Sequence, residues 1–156
     1  MSKLELQTLL RNTFKNKVDL NLVAIAKEPS HQQCMMCGMQ APLGLKLNFY
    51  SNNDNQIWTK AKGTCHQQGY QGILHGGYLA ALLDAGMCNA IFHRGVQAVT
   101  GDIQIRYLNE VPINKDILIQ SQITSSYSVL YKVEASLYVD GVKMATAKAR
   151  FMQSNK

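Results

Sequence analysis

Residues 69–94 constrain the chain most. They read Gly-Tyr-Gln-Gly-Ile-Leu-His-Gly-Gly and then Tyr-Leu-Ala-Ala-Leu-Leu-Asp-Ala-Gly-Met-Cys-Asn-Ala-Ile-Phe-His-Arg. A glycine-rich turn thus feeds a run, Gly76 to Phe92, that is apolar on almost every face, the pattern of a helix enclosed by protein. The remaining chain must supply the enclosure. Asp84 is the only charged residue in that run. A carboxylate among leucines and alanines is costly to desolvate, so it must be paired, protonated or used in chemistry.

A chain of 156 residues can supply one enclosing domain with a single core. With 46% apolar and 17% charged residues it has the composition of a globular protein rather than a disordered one. No apolar run approaches the ~20 residues of a membrane-spanning helix, and the start, with Lys3 and Glu5, lacks the apolar stretch of a secretory leader. The expected location is therefore the cytoplasm, with the four cysteines as reduced thiols. The net charge of +6 is dispersed, without a basic helix or nucleic-acid motif. It suits a small anionic partner, with no nucleic acid and no membrane.

Leu4, Leu6, Leu9, Leu10, Phe14, Val18, Leu20, Leu22 and Val23 recur at helical spacing, predicting one or two amphipathic helices over residues 3–26, ahead of Pro29-Ser30. Residues 27–42 form a connector that holds Cys34-Met-Met-Cys37, with His31 three residues upstream. That is zinc-knuckle spacing, but no second such pair exists, and Cys65 and His66 could complete a tetrahedral set only if brought close. The expectation is a packed loop without metal.

From Leu43 the period becomes two: Leu43, Leu45, Leu47 and Phe49 alternate with Gly44, Lys46, Asn48 and Tyr50, predicting a half-buried strand. The turn cluster at 51–54 returns the chain as a second strand over 56–64. Beyond Gly95 alternation continues over 96–108, 116–126, 129–139 and 142–153, with Asp140-Gly141 as a two-residue hairpin turn. Val129, Tyr131, Val133, Ala135, Leu137 and Val139 should face inward, with Ala145, Ala147, Ala149 and Phe151 beside them. Small side chains there allow close approach of a helix. The predicted architecture is α+β: about six antiparallel strands wrapped around one long central helix, with an N-terminal helical extension.

This order of elements, together with Gly72-Ile-Leu-His75-Gly76-Gly77, Asp84 nine residues after the histidine, and Val99-Thr100-Gly-Asp102-Ile-Gln-Ile-Arg106-Tyr107-Leu108, resembles the hotdog-fold acyl-CoA thioesterases of the phenylacetate-pathway and 4-hydroxybenzoyl-CoA type. Cys34-Met-Met-Cys37-Gly with Pro42-Leu-Gly-Leu resembles a CxxCG-containing subgroup. The resemblance implies an N-terminal extension and connector over 1–42, a hotdog thioesterase domain over 43–156, and hydrolysis of an acyl-CoA thioester at a site between paired subunits, which in such proteins often pair again into tetramers. Coenzyme A enters as part of substrate and product, with no further cofactor. Two departures stand out. The resemblance implies an asparagine six residues before the histidine, where this chain has Gly69, leaving Gln67, Gln68 or Gln71 to supply an amide. Pro112 also falls two residues later than usual.

Thioester hydrolysis needs activated water and a holder for the oxyanion. The first glycine of a helix presents an unsatisfied N–H at the positive end of the dipole, which makes Gly76 the oxyanion donor. Asp84 serves as general base or as nucleophile. Thr100 would orient it, or be a plain strand residue; Asp102 could pair with Arg106. His75 could act in acid–base chemistry or bond its own backbone. Gly77, Gln68, Gln71 and Tyr78 are further candidates for substrate contact, and Tyr78, Leu82, Met87 and Phe92 could line an acyl tunnel or the core. Arg94, Arg106, Lys132, Lys143 and Lys148 could face the phosphates of coenzyme A.

Spacing adds a constraint. Eight residues separate Gly76 from Asp84, about 12 Å at ~1.5 Å per residue. One carbonyl cannot touch both, so a site that uses both needs two copies of the helix across a two-fold axis. Two other functions fit the fold: hydration or dehydration of an acyl thioester, and acyl-CoA binding without turnover.

Overall fold

In the computed structural model, which describes residues 1–154, one long helix lies in the concave face of a seven-stranded antiparallel sheet. In chain order the elements are α1 (Lys3–Phe14), β1 (Val23–Ala24), β2 (Tyr50–Ser51), β3 (Ile57–Lys62), α2 (Gly76–Phe92), β4 (Ala98–Tyr107), β5 (Asp116–Tyr127), β6 (Leu130–Val139) and β7 (Val142–Gln153). The strand order is β1-β2-β3-β5-β6-β7-β4. This is the hotdog architecture, and the helix occupies the residues that the apolar run predicts. Residues 155 and 156 of the expected domain lie outside those described.

The enclosure follows from side-chain size. Leu82, Leu83, Met87 and Ile91 of α2 are fully buried, each contributing about 1.5–3 kcal/mol by leaving water. Opposite them, Ala135, Ala145, Ala147 and Ala149 keep the floor of the sheet low. Gly86 completes the approach: a Cβ there would sit 3.1 Å from Ile119 Cγ2, and Ser121 Oγ donates to the Gly86 carbonyl at 2.7 Å. The inward sets of β6 and β7 are as the alternation predicts, except that Val129 falls in the exposed turn before β6. The turn between them has Asp140 at φ 49° and Gly141 at φ 80°, the left-handed pair of a type I′ hairpin.

One prediction is narrowed and another corrected. Of the one or two helices expected over residues 3–26, one α-helix forms: α1 starts in a capping box between Ser2 and Glu5 and stops where Lys15 and Asn16 both take positive φ. The later apolar residues serve another purpose. Leu22, with Leu6 and Leu10, meets Tyr50, Trp58 and Leu118 in a second core on the convex face of the sheet, and Val23–Ala24 joins the sheet edge. The strand predicted from Leu43 is almost absent, because Lys46 adopts φ 52°. Leu45 and Leu47 donate their N–H groups to Met35 and Met36 of the cysteine loop, both at 2.9 Å, so only Tyr50–Ser51 pairs with β3. The period of two reports burial of Leu47 and Phe49, not a ladder. Among the described residues no helix is long and apolar enough to cross a membrane.

Gly86→Val should drive α2 off β5. We expect a loss of about 1–3 kcal/mol, read as a lower denaturant midpoint at unchanged slope.

Candidate active site

The segment leading into α2 is a closed loop. Gly69 N–H donates to the Ile73 carbonyl at 2.9 Å, and His75 N–H to the Gln67 carbonyl at 2.8 Å. Gly72, at φ 78°, donates to Gln68 Oε1 at 3.0 Å. Gln68 therefore spends its side-chain oxygen within the loop, Gln67 accepts from Thr64, and Gln71 is exposed. A Cβ at Gly69 would stand 3.4 Å from His75 Cδ2, so the missing side chain is one that would have faced the imidazole.

His75 caps the helix. Its Nδ1 accepts from Gly77 N–H at 2.8 Å, which places a neutral ring's proton on Nε2. With Gly77 satisfied, the Gly76 N–H is left at the positive end of α2 without an acceptor among the described residues. Tyr107 Oη donates to the Gly76 carbonyl at 2.8 Å, and its ring would lie 3.4 Å from a Cβ at Gly76. A cleft of about 330 Å³ opens here, lined by Ile73, Leu74, Gly76, Leu79, Tyr107 and Val111 among others. Tyr78 points elsewhere: its hydroxyl donates to the Lys62 carbonyl at 2.8 Å, and burial raises the phenol's pKa. Leu82 and Met87 are core, and Phe92 packs edge-on against His31.

Asp84, two turns below, is half-buried and accepts a 2.7 Å hydrogen bond from Thr100 Oγ1 at its Oδ1. No partner for Oδ2 occurs among the described residues. The contact depends on a β-bulge. Ile103, Ile105 and Tyr107 pair with Ala149, Ala147 and Ala145 on the helix face, so strict alternation would send Thr100 to the other face. The register shift between Thr100 and Asp102 inserts Gly101 as an extra residue and returns Thr100 to the helix side. One turn along α2, burial first and the Asp84 charge second push the Cys88 thiol up to about 12.

The expected pairing of Asp102 with Arg106 is replaced by an ion pair between Asp102 and Arg150, its cross-strand neighbour on β7. Arg106, opposite Thr146, lies on the convex face, away from α2. Lys148 is paired with Glu134 at 3.2 Å, and Lys143 lies 5.7 Å from the centre of the Tyr138 ring. The candidate phosphate contacts are thus dispersed over a wide surface. In the sequence Tyr107 stands only as part of the motif that carries the resemblance, and its alternation with Ile103 and Ile105 is the signal that places it on the helix side.

Gly76 and Asp84 face different places within one chain. Asp84 and Thr100 lie beside β4, an edge strand of ten residues that leaves Val99, Ile103 and Tyr107 exposed. A long edge of this kind is a template for pairing.

With this geometry in view, part of the chain is similar to known thioesterases. Residues 71–144 match the model described as thioesterase superfamily. The cysteine loop lies outside that match. Rat acyl-coenzyme A thioesterase THEM4 is 32% identical over 77 residues, 48% of this chain and 32% of the rat protein. The chain thus spans about a third of the length of the curated relatives it matches. The Escherichia coli PaaI protein of the phenylacetic acid degradation operon has the same fold, with TM-score 0.66 at 15% identity over 71% of this chain and 81% of that one. So does a Streptococcus mutans protein bound to acetyl-CoA, with TM-score 0.65 at 20% identity, 70% of this chain and 90% of that one.

Tyr107→Phe should remove the clamp on the first turn of α2 at a cost of about 1 kcal/mol, measured by chemical denaturation.

Proposed function

We propose that this chain, a member of the thioesterase superfamily over residues 71–144, hydrolyses an acyl-CoA thioester to the free acid and coenzyme A. The observation that carries the reading is the Thr100–Asp84 hydrogen bond. It fixes one carboxylate oxygen and leaves the other directed at whatever enters beside the apolar helix. The acyl-CoA thioesterase name of the rat relative and the acetyl-CoA held by the Streptococcus mutans protein support this substrate class. Together with a net charge of +6 they suit a ligand bearing phosphates.

The steps balance in two ways. As general base, Asp84 takes a proton from water while the water oxygen attacks the carbonyl carbon. The Gly76 N–H holds the oxyanion, and collapse breaks the C–S bond, expelling the thiolate of coenzyme A, which takes up the proton. As nucleophile, the carboxylate itself displaces the thiolate to give a mixed anhydride, which water then opens. In a single turnover in oxygen-18 water, label in Asp84 identifies the anhydride route, with water opening the anhydride at the aspartyl carbonyl, since the general-base route puts label only in the product acid.

Each site takes Gly76 from one copy and Asp84 from another, because the two lie about 12 Å apart along one helix. The exposed edge of β4 supports pairing of two copies, and two such pairs can assemble into a tetramer.

A thiol-release assay across acyl-chain lengths tests the activity. Asp84→Asn should lower turnover by about 10²–10⁴-fold. Thr100→Val should show a smaller loss that Thr100→Ser restores. Binding of acyl-CoA by the wild type without turnover would make the protein a binding module instead. Shared sites have their own test. Gly76→Pro deletes the N–H at a helix position where proline is tolerated. Mixed with Asp84→Asn, it should recover about a quarter of wild-type activity, one intact site in each mixed pair. No recovery, with mixed pairs shown to form, overturns the sharing.

A further inference from the structure

The connector ahead of the matched domain carries a second cluster of reactive side chains. The ligand atoms of His31, Cys34 and Cys37 all lie within 4.8 Å of one another, with Cys37 Sγ 3.7 Å from His31 Nδ1. Two sulfurs bound tetrahedrally to one zinc ion are separated by about 3.8 Å, so a small side-chain adjustment converts this spacing into coordination.

The backbone turns tightly around Cys34. Met36 N–H points at Cys34 Sγ at 3.4 Å, and Gly38 N–H closes the turn on the Cys34 carbonyl at 2.9 Å. Only glycine fits at 38: a Cβ would stand 2.4 Å from the Gln32 carbonyl oxygen and 2.5 Å from Cys34 N. Burial opposes ionisation of Cys34, but the N–H groups of Cys37, Met36 and Gly38 outweigh it and hold this thiol below its usual range. Cys37, in contrast, is pushed up to about 11, by burial first and by the Cys34 charge second.

The surroundings hold the donors in place. The His31 ring stands edge-on to Phe92 at 4.7 Å, Lys27 Nζ donates to the Cys37 carbonyl at 3.1 Å, and Gln97 Nε2 donates to Glu28 Oε1 at 2.7 Å, tying the loop to the approach to β4.

We propose that His31, Cys34 and Cys37 bind one soft divalent metal ion, zinc by its ligand preference, the fourth position falling to water. Binding releases the two thiol protons. Two thiolates and a neutral imidazole then offset the charge of the ion, which suits a half-buried site. The ion would pin the connector against the end of α2. This inference is independent of the thioesterase reading, since its readout is metal content.

The test uses the full chain under reducing conditions. Titration with zinc against a chromophoric chelator should give about one equivalent per chain, and cobalt should produce the near-ultraviolet charge-transfer band of thiolate coordination. Cys34→Ser, Cys37→Ser and His31→Ala should each weaken binding by roughly a hundredfold or more, whereas Cys65→Ser, at an exposed site, should leave it unchanged. Wild-type protein that is folded and reduced yet takes up no zinc and gives no cobalt band overturns the site, whatever its activity. So does metal uptake that survives loss of both Cys34 and Cys37. A Cys34–Cys37 disulfide as the stable state of the isolated protein, without metal under reductant, would make the pair a redox couple instead.

Discussion

The structure depends on the burial of α2. A helix without a polar face has no stable place at a surface, and enclosing it dictates most of what surrounds it. The sheet must curve around it, the facing strands must carry alanine where the helix passes closest, and the helix needs Gly86 where it meets β5. The same helix carries Asp84 half-buried at the side the sheet leaves open, so a requirement of packing also positions a carboxylate.

That environment is asymmetric. The sheet covers α2 on one side, while β4 remains an edge, and Asp84 with Thr100 sits next to that edge. The head of the helix presents a different kind of group, a free amide beside an apolar cleft, with its first turn clamped by Tyr107. On the proposed reading, one copy carries two incomplete halves of a site, and a two-fold arrangement would complete each half without any new residue type.

The N-terminal residues are more than an appendage. Helix α1 fills a second core on the convex face, sealing Trp58 and Leu118 that would otherwise be exposed. The connector crosses to the concave side, where Met36 and Cys37 enter the main core and His31 reaches the end of α2. The chain is stitched to both faces of its sheet. Ion pairs on the convex face, such as Asp102 with Arg150 and Lys148 with Glu134, engage some of the basic residues without any ligand and leave the net charge of +6 unpaired.

The sequence by itself determined the helix, its glycine-rich entry, the lone carboxylate, and the inward faces of β6 and β7. These follow from local periodicity and turn chemistry, which act between residues close in the chain. It also carried the capping position of His75, since a side chain just ahead of a helix has few other partners. What only the tertiary structure decided were features that depend on distant partners. Thr100 faces Asp84 because Gly101 bulges against β7, a one-residue register shift that alternation cannot register. The stretch from Leu43 alternates like a strand yet hydrogen-bonds to the cysteine loop, because backbone partners are set by what lies alongside. His31 converges with Cys34 and Cys37 for the same reason: their spacing permitted a cluster, and only packing against Phe92 brought the imidazole to the sulfurs.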